Sequence, residues 1–341
     1  MHGPGLAPSQ PVQVLRPQAL RPGDRVRIVA PAGPVDERLN RGIELLRGFG
    51  LEVEVGAHVH KHNGYLAGTD DERLADLDAA LRDPGIRGVF AAAGGYGTQR
   101  IVDRLDLSAL AADPRVFMGF SDITALHHRL WREHRLATFY GPVMVWGDGR
   151  LGPECVESLR RCLMTGEPIV LHSDPAEPSA EIRVPGRATG RLVGGNLYML
   201  TAAIGTPDFP DLDGAILMFE DVGEAPANYD SMLTHLRRIG ALDRLAGIAI
   251  GHLVEFSGGH WARRAYRWAN PDARRSWIAD TTASIRDRVA DLGVPVLGGL
   301  PIGHGSGQLT VPLGTTAFLD AESGTLTVEP GTAPPAGAPA A

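Results

Sequence analysis

The feature that most constrains this chain is a regular alternation of apolar, β-rich runs with helical patterns along its first half. An apolar run at 25–30 ends at Pro31, a helical periodicity follows at 36–49, and the same order recurs as far as residue 133. This rhythm is typical of a mostly parallel sheet covered by helices, so the sequence predicts an α/β fold. The predicted strands cover 25–30, 51–55, 88–93 and 116–120, and the predicted helices 36–49, 69–81 and 122–133.

The pattern changes after about residue 165. Short β runs with glycine turns now alternate with helices predicted at 196–203, 228–239 and 277–292, which indicates a second α/β domain with a more mixed or barrel-like sheet. The chain then divides into a flexible arm (1–20), an N-terminal domain (21–166), a Pro- and Ser-rich linker (167–189), a C-terminal domain (190–330) and a disordered tail (331–341).

Composition excludes several classes of protein. The 341 residues are 43% apolar and 21% charged, as in soluble globular proteins, and the net charge of −7 argues against general nucleic-acid affinity. The first twenty residues lack the apolar core of a signal peptide, and no stretch approaches the roughly 18 apolar residues of a membrane span. Cys155 and Cys162 lie about 10 Å apart on one predicted helix, too far for a disulfide. We expect a cytoplasmic protein with reduced thiols and no membrane partner.

Ser121 is the candidate nucleophile. It lies in Gly119-Phe120-Ser121-Asp122, between an apolar strand and an amphipathic helix, where the first amides of the helix can hold a developing oxyanion. Serine is also a common N-cap, and Ile123 stands where a G-x-S-x-G motif has its second glycine.

A glycine-rich loop, Gly94-Gly95-Tyr96-Gly97, follows another predicted strand. Arg100 replaces the last glycine of a dinucleotide-binding motif, and no Walker lysine follows. Two interpretations stay open: a tight strand-to-helix turn, or a loop of backbone donors that faces Ser121.

Acid and base candidates lie in the second half. Glu220 and Asp221 end an apolar run, where one of them could orient a histidine or cap a turn, and the glycines beside His304 leave its ring accessible in a loop. The order Ser121, Glu220, His304 fits a nucleophile–acid–base set. Adjacent side chains of a strand face opposite sides, so one of Glu220 and Asp221 can reach the histidine.

Three alternating histidines, His58, His60 and His62, could share one face of a strand as metal ligands. No carboxylate or cysteine accompanies them at a ligand spacing, so we favour a solvated edge strand.

An ordered set of motifs covering residues 20–330 resembles the LD-carboxypeptidases, the muramoyltetrapeptide carboxypeptidase family that also contains the microcin-immunity peptidases. The motifs are RPGDRVRIVAPAGP, YLAGTDDERLADL, GGYGTQRIVDRLD, MGFSDITAL, FYGP, GRLVGGNLYMLTAAIGTP, LMFEDVGE, MLTHLRRIGAL and LPIGHGSGQLTVPLG.

The resemblance implies a Ser–Glu–His triad at Ser121, Glu220 and His304, and an oxyanion hole from the backbone amides of Gly95 and Asp122. It also implies a cytoplasmic homodimer that needs no metal or cofactor. Its substrate would be a murein tetrapeptide, from which it would release the D-alanine attached to the L-centre of the diamino acid.

The chain departs from the family pattern in two places that flank the expected pocket. Ala93 replaces an arginine before GGYG, and ANYD at 227–230 replaces an aromatic–x–Ile–Asp run. The segment 255–275, rich in Trp and Arg, matches no motif and suggests a surface insertion or a lid. Two alternatives remain: a microcin-immunity-type peptidase that cleaves an aminoacyl-nucleotide toxin, and a peptide-binding relative without catalysis. IGHGSG around His304 is more similar to the murein enzymes, and the complete set of three residues argues against a non-catalytic protein.

Overall fold

Two β-sheets flanked by helices form the protein in a computed structural model that describes residues 13–146, 151–255 and 273–333. The predicted α/β class, with a mostly parallel N-terminal sheet and a mixed C-terminal sheet, is confirmed.

The first sheet has six strands in the order β2-β1-β3-β4-β5-β12, and all neighbouring pairs are parallel except β5 with β12. Because parallel strands end at the same edge, the loops after β3 and β4 are brought together there. The strands are β1 (Arg25–Val29), β2 (Glu52–Val55), β3 (Ile86–Ala91), β4 (Val116–Gly119), β5 (Thr138–Tyr140) and, from far along the chain, β12 (Val311–Leu313).

Four helices accompany this sheet, and their ends follow local sequence signals. Thr69 caps α2 in a complete capping box with Glu72, and Pro153 occupies the first turn of α4, where its missing N–H costs no hydrogen bond. The helices are α1 (Leu39–Gly48), α2 (Asp70–Arg82), α3 (Thr124–His134) and α4 (Pro153–Met164).

The second sheet has eight strands in the order β6-β14-β13-β8-β9-β10-β11-β7. Strands β8 to β11 are parallel and the outer pairs antiparallel, so β9 and β10 lie centrally and are almost wholly buried. The strands are β6 (Ile169–His172), β7 (Arg183–Val184), β8 (Arg187–Asn196), β9 (Ala215–Val222), β10 (Gly247–Val254), β11 (Val296–Leu297), β13 (Thr316–Asp320) and β14 (Thr325–Val328). The helices are α5 (Leu197–Ala202), α6 (Pro226–Arg238) and α7 (Ala273–Val289).

The segment 167–189, for which composition predicts a linker, instead supplies the two edge strands β6 and β7. Alternate residues of β6 are buried, and prolines next to short edge strands break no central hydrogen bonds. The predicted arm is also partly packed: Leu20 is buried, and Leu15 donates its N–H to the carbonyl of Arg135. Ala333 of the predicted tail donates to the carbonyl of Pro17. Most of the Trp- and Arg-rich segment 255–275 lies outside the described residues.

Across residues 13–146, 151–255 and 273–333, no helix combines the length and the apolar character that crossing a membrane requires.

Candidate active site

Ser121 lies in a sharp turn between β4 and α3. Phe120 is extended, Ser121 has a φ of +65°, and a 3₁₀ turn from Ser121 to Ile123 leads into the helix. A positive φ is uncommon for a residue with a side chain and stores backbone strain of about 1–3 kcal/mol. The hydroxyl of Tyr140 accepts the N–H of Ser121 at 3.2 Å, which helps to hold this conformation.

The glycine-rich loop after β3 packs directly against Ser121. A Cβ atom built on Gly94 would lie 3.2 Å from the Cβ and 3.3 Å from the Oγ of Ser121, so the close approach depends on glycine. Thr98 ties the loop to the helix start, because its N–H donates to the Asp122 carboxylate (2.9 Å) and its hydroxyl to the Asp122 carbonyl (2.7 Å). The predicted amide donors, Gly95 and Asp122, therefore lie on two segments held together beside Ser121.

Glu220 lies near the end of β9 and is fully buried. Its Oε2 accepts the Nδ1–H of His304 at 2.6 Å and the backbone N–H of His304 at 3.2 Å, and its Oε1 accepts the hydroxyl of Tyr140 at 2.6 Å. Burial raises the pKa of Glu220, but the charge interaction and hydrogen bonds with His304, together with Tyr140, lower that pKa by more. The net effect favours an ionised carboxylate.

His304 joins Glu220 to Ser121. Its Nε2 lies 3.1 Å from the Oγ of Ser121, and its ring packs against Phe120 with the centroids 4.6 Å apart. Gly303 has a φ of +104°, and a Cβ atom there would collide with the carboxylate of Glu220. Ser121, His304 and Glu220 thus form a hydrogen-bonded chain that spans both sheets.

Asp221 faces the other side of β9. Its carboxylate accepts the Nδ2–H of Asn196 and the backbone N–H groups of Tyr198 and Val222, each at 2.8 Å. Burial and the neighbouring charge of Glu220 raise the pKa of Asp221 to about 7. Asp221 therefore holds β8 and the start of α5, away from His304.

Tyr140 is a site residue whose role does not follow from the sequence alone. Its hydroxyl connects the amide of Ser121 to the carboxylate of Glu220, and burial raises the pKa of Tyr140 well above its usual value. The FYGP motif was the available signal, an aromatic residue that ends a short strand ahead of a Gly-Pro turn.

The predicted edge strand for the three alternating histidines is wrong, because residues 57–60 form a turn. The turn arises where Asp76 of α2 accepts both the backbone N–H and the Nδ1–H of His58 at 2.8 Å. Within the described ranges, no cluster of three or more His, Cys, Asp or Glu residues could hold a metal ion.

Family models match both halves of the chain. The LD-carboxypeptidase N-terminal domain matches residues 26–141 and the C-terminal domain matches 189–319. A putative carboxypeptidase of Streptomyces coelicolor is 42% identical over 93% of this chain and 97% of its own length. A probable murein peptide carboxypeptidase of Bacillus subtilis is 35% identical, over 93% and 95% respectively.

Solved structures agree with this match. The muramoyltetrapeptide carboxypeptidase from Oxalobacter formigenes superposes with a TM-score of 0.74 at 29% identity, covering 91% of this chain and 99% of the other. The microcin C7 self-immunity protein of Escherichia coli is a further relative, 26% identical over 90% of this chain and 93% of its own. The chain therefore belongs to the LD-carboxypeptidase family and is a serine carboxypeptidase.

Proposed function

We propose that this protein hydrolyses the bond between the L-centre of a diamino acid and a terminal D-alanine in murein tetrapeptides, with Ser121 as nucleophile, His304 as base and Glu220 as the acid that orients it. The observation that carries the proposal is the hydrogen-bonded chain from Ser121 Oγ through His304 to Glu220. The murein substrate is taken from the names of the relatives in Bacillus subtilis and Oxalobacter formigenes.

The geometry supports a two-step reaction. His304 Nε2 takes the proton of Ser121 as Oγ attacks the carbonyl carbon, and Glu220 stabilises the imidazolium through Nδ1–H. The same proton then passes to the leaving nitrogen of D-alanine, and the shortened peptide stays esterified to Ser121. A water molecule, activated by His304 in the same way, releases the peptide and restores the serine.

The carbonyl oxygen of the substrate becomes negatively charged during both steps. Gly95 and Asp122 would donate their backbone N–H groups to it, a role supported by the packing of the glycine loop against Ser121. Stabilisation by such donors is strongest when they are fixed beforehand, and the Thr98–Asp122 hydrogen bonds supply that fixation.

The direct test uses two tetrapeptides that differ in one stereocentre. Purified wild-type protein and Ser121→Ala are incubated with murein tetrapeptides ending in D-alanine or in L-alanine, and the released amino acid is followed by mass spectrometry. We expect release from the D-alanine peptide by the wild type alone. Equal release from both peptides would contradict the proposed specificity, and release by Ser121→Ala would contradict the serine mechanism.

The Escherichia coli relative supports a second candidate, a peptidase that protects against an aminoacyl-nucleotide toxin. The same assay with an aminoacyl-nucleotide separates the two functions. Cleavage of that compound without release of D-alanine would replace the murein proposal.

A further inference from the structure

We propose that His252 is a positioning residue for His304, acting through the backbone N–H of Gly305. The proposal rests on the proposed function of His304 as the base. It assigns a role to a buried histidine that, among the described residues, makes no hydrogen bond to Ser121 or Glu220.

His252 lies in a bulge of β10. The register between β10 and β9 shifts between Ile250 and Leu253, and the N–H of His252 turns to the carbonyl of Ile302 at 2.8 Å. A bulge re-aims a side chain that a regular strand would place elsewhere. Here it brings the imidazole, which is 1% exposed, under the loop that carries His304.

The contact with Gly305 fixes the tautomer of His252. The backbone N–H of Gly305 lies 3.0 Å from Nδ1 of His252, and because an amide N–H can only donate, Nδ1 must carry the lone pair. The proton of the neutral ring is then on Nε2, which faces Glu177 at 3.6 Å. A doubly protonated ring would lose the acceptor that Gly305 needs.

Two consecutive amides of the loop are therefore held by side chains from neighbouring strands. Glu220 on β9 accepts the N–H of His304, and His252 on β10 accepts the N–H of Gly305. Glu220 fixes the peptide plane before His304 and His252 fixes the plane after it, so the two together set the direction of the imidazole towards Ser121.

The packing of the loop also connects Gly305 with His252. A Cβ atom on Gly305 would lie 2.5 Å from the Cγ and Cδ2 atoms of His252, so the loop rests directly on the ring. The glycine after His304 is thus required by His252, just as Gly303 before it is required by Glu220.

The surrounding charges are compatible with a neutral His252. Burial lowers the pKa of His252. The charges of Glu177 and Glu220 and the backbone of Gly303 raise it, His304 lowers it, and the net pKa lies below the usual value. A neutral ring keeps the lone pair of Nδ1 as the acceptor for the N–H of Gly305.

The test compares two substitutions of His252, one that keeps a hydrogen-bond acceptor for Gly305 and one that removes it. Asn at 252 places Oδ1 near the position of Nδ1 and keeps an acceptor, whereas Leu fills space without one. The buried His128, which bonds Gly194 and not the His304 loop, provides the matched control as His128→Leu.

The readout is the rate at which an alkyl fluorophosphonate modifies Ser121, measured by intact-protein mass spectrometry. In this reaction the Oγ–P bond forms, the P–F bond breaks, fluoride leaves and His304 receives the serine proton. The rate reports the Ser121–His304 geometry whatever the natural substrate is. Unfolding midpoints of all variants, and kcat and KM for D-alanine release, are measured in parallel.

We expect His252→Leu to slow modification and to lower kcat at least about tenfold at similar KM, the size expected when a buried donor loses its partner. His252→Asn should stay within about threefold of the wild type, and His128→Leu should lower the unfolding midpoint without slowing modification. A wild-type rate in His252→Leu, or equal slowing in the Leu and Asn variants, would overturn the proposal.

A second pair of variants covers the case in which His252→Leu does not fold. Gly305→Ala should slow modification in the wild-type background and cost much less in His252→Ala, where the ring that it strikes is gone. Equal costs in both backgrounds would overturn the proposal.

Modification of the wild type without D-alanine release contradicts only the murein substrate. No modification at all contradicts both the serine mechanism and this inference.

Discussion

The two halves of the site are held in different ways. Ser121, at the edge of the six-stranded sheet, is set by main-chain conformation: a positive φ, an abrupt strand-to-helix turn and a glycine loop packed against it. Glu220 on β9 of the eight-stranded sheet, and His304 in the loop between β11 and β12, are set by side-chain hydrogen bonds inside a largely buried network. The nucleophile side should therefore tolerate changes of side chain without losing shape, and the acid–base side should not.

The largest effect is expected at Ser121. If its position is fixed by the backbone, Ser121→Ala removes the hydroxyl and leaves the turn in place, with an activity loss on the order of 10⁴-fold or more and an almost unchanged unfolding midpoint. D-alanine release and thermal unfolding of the purified variant check both parts. A large fall in the midpoint would show that the hydroxyl, and not the main chain, holds the turn.

The next largest loss of activity is expected at Glu220, with Asp221 as its neighbouring comparison. Glu220→Gln keeps the shape but loses the charge that stabilises the imidazolium, so kcat should fall roughly 10²- to 10⁴-fold with little change in KM. Asp221→Asn should cost less than about tenfold in kcat. It should instead lower the unfolding midpoint, because an amide nitrogen would replace one of the two oxygens that accept the N–H groups of Asn196, Tyr198 and Val222.

Kinetics and unfolding of the two variants under identical conditions decide the assignment. A greater loss of kcat in Asp221→Asn would move the acid by one residue along β9.

Tyr140 tests the connection between the two halves. Phe at 140 removes the hydrogen bond to Glu220 and the acceptor for the Ser121 amide at once, and a bond to a charged group is worth about 1.5–3 kcal/mol. We expect kcat to fall about 10- to 100-fold, measured by D-alanine release. A loss confined to stability would show that Glu220 is oriented sufficiently by His304.

The smallest effect is on stability at low pH. The Nε2 atom of His128 on α3 lies within hydrogen-bond distance, 3.1 Å, of the carbonyl oxygen of Gly194 on β8. Burial lowers the pKa of His128 to about 4. Below pH 6.5 the unfolded chain binds a proton that the folded chain does not, so this residue should cost about 2 kcal/mol of stability between pH 6.5 and pH 5. Gln at 128 keeps the donor but cannot charge, so His128→Gln should lose less stability over that range.

Urea unfolding at pH 7 and pH 5 measures this difference. The same substitution at His172, an exposed residue of β6, is measured in parallel as the control for replacing a histidine by glutamine. Identical pH dependence in His128→Gln and the wild type would show that His128 is not the group responsible.

The α/β class and the separation of Glu220 from Asp221 could be predicted because both depend on local periodicity. The three-residue strand β5 is too short to show any periodicity, so Tyr140 was noticed only as part of a motif. The strands β6 and β7 were hidden by a composition that edge strands and linkers share.

The features that the sequence does not predict depend on contacts between residues far apart in the chain. The role inferred for His252 depends on a bulge that sequence alone does not indicate. From the sequence, the glycines beside His304 are explained only as leaving its ring accessible. In the structure they make room for Glu220 and His252. The local pattern draws attention to these residues, but the physical reason for them depends on neighbours 53 and 84 positions away in the chain.

The pairing of β12 with β5 sets the order in which the enzyme can be completed during synthesis. A ribosome that has produced the first 300 residues has made Ser121 and Glu220, but neither His304 nor the outermost strand of the first sheet. Residues 304 and 311–313 then follow within one short stretch, so His304 joins Ser121 as the sheet gains its outermost strand. A nascent chain that ends before residue 304 would thus carry Ser121 without its proposed base, and the serine would stay unreactive until the loop with His304 is made.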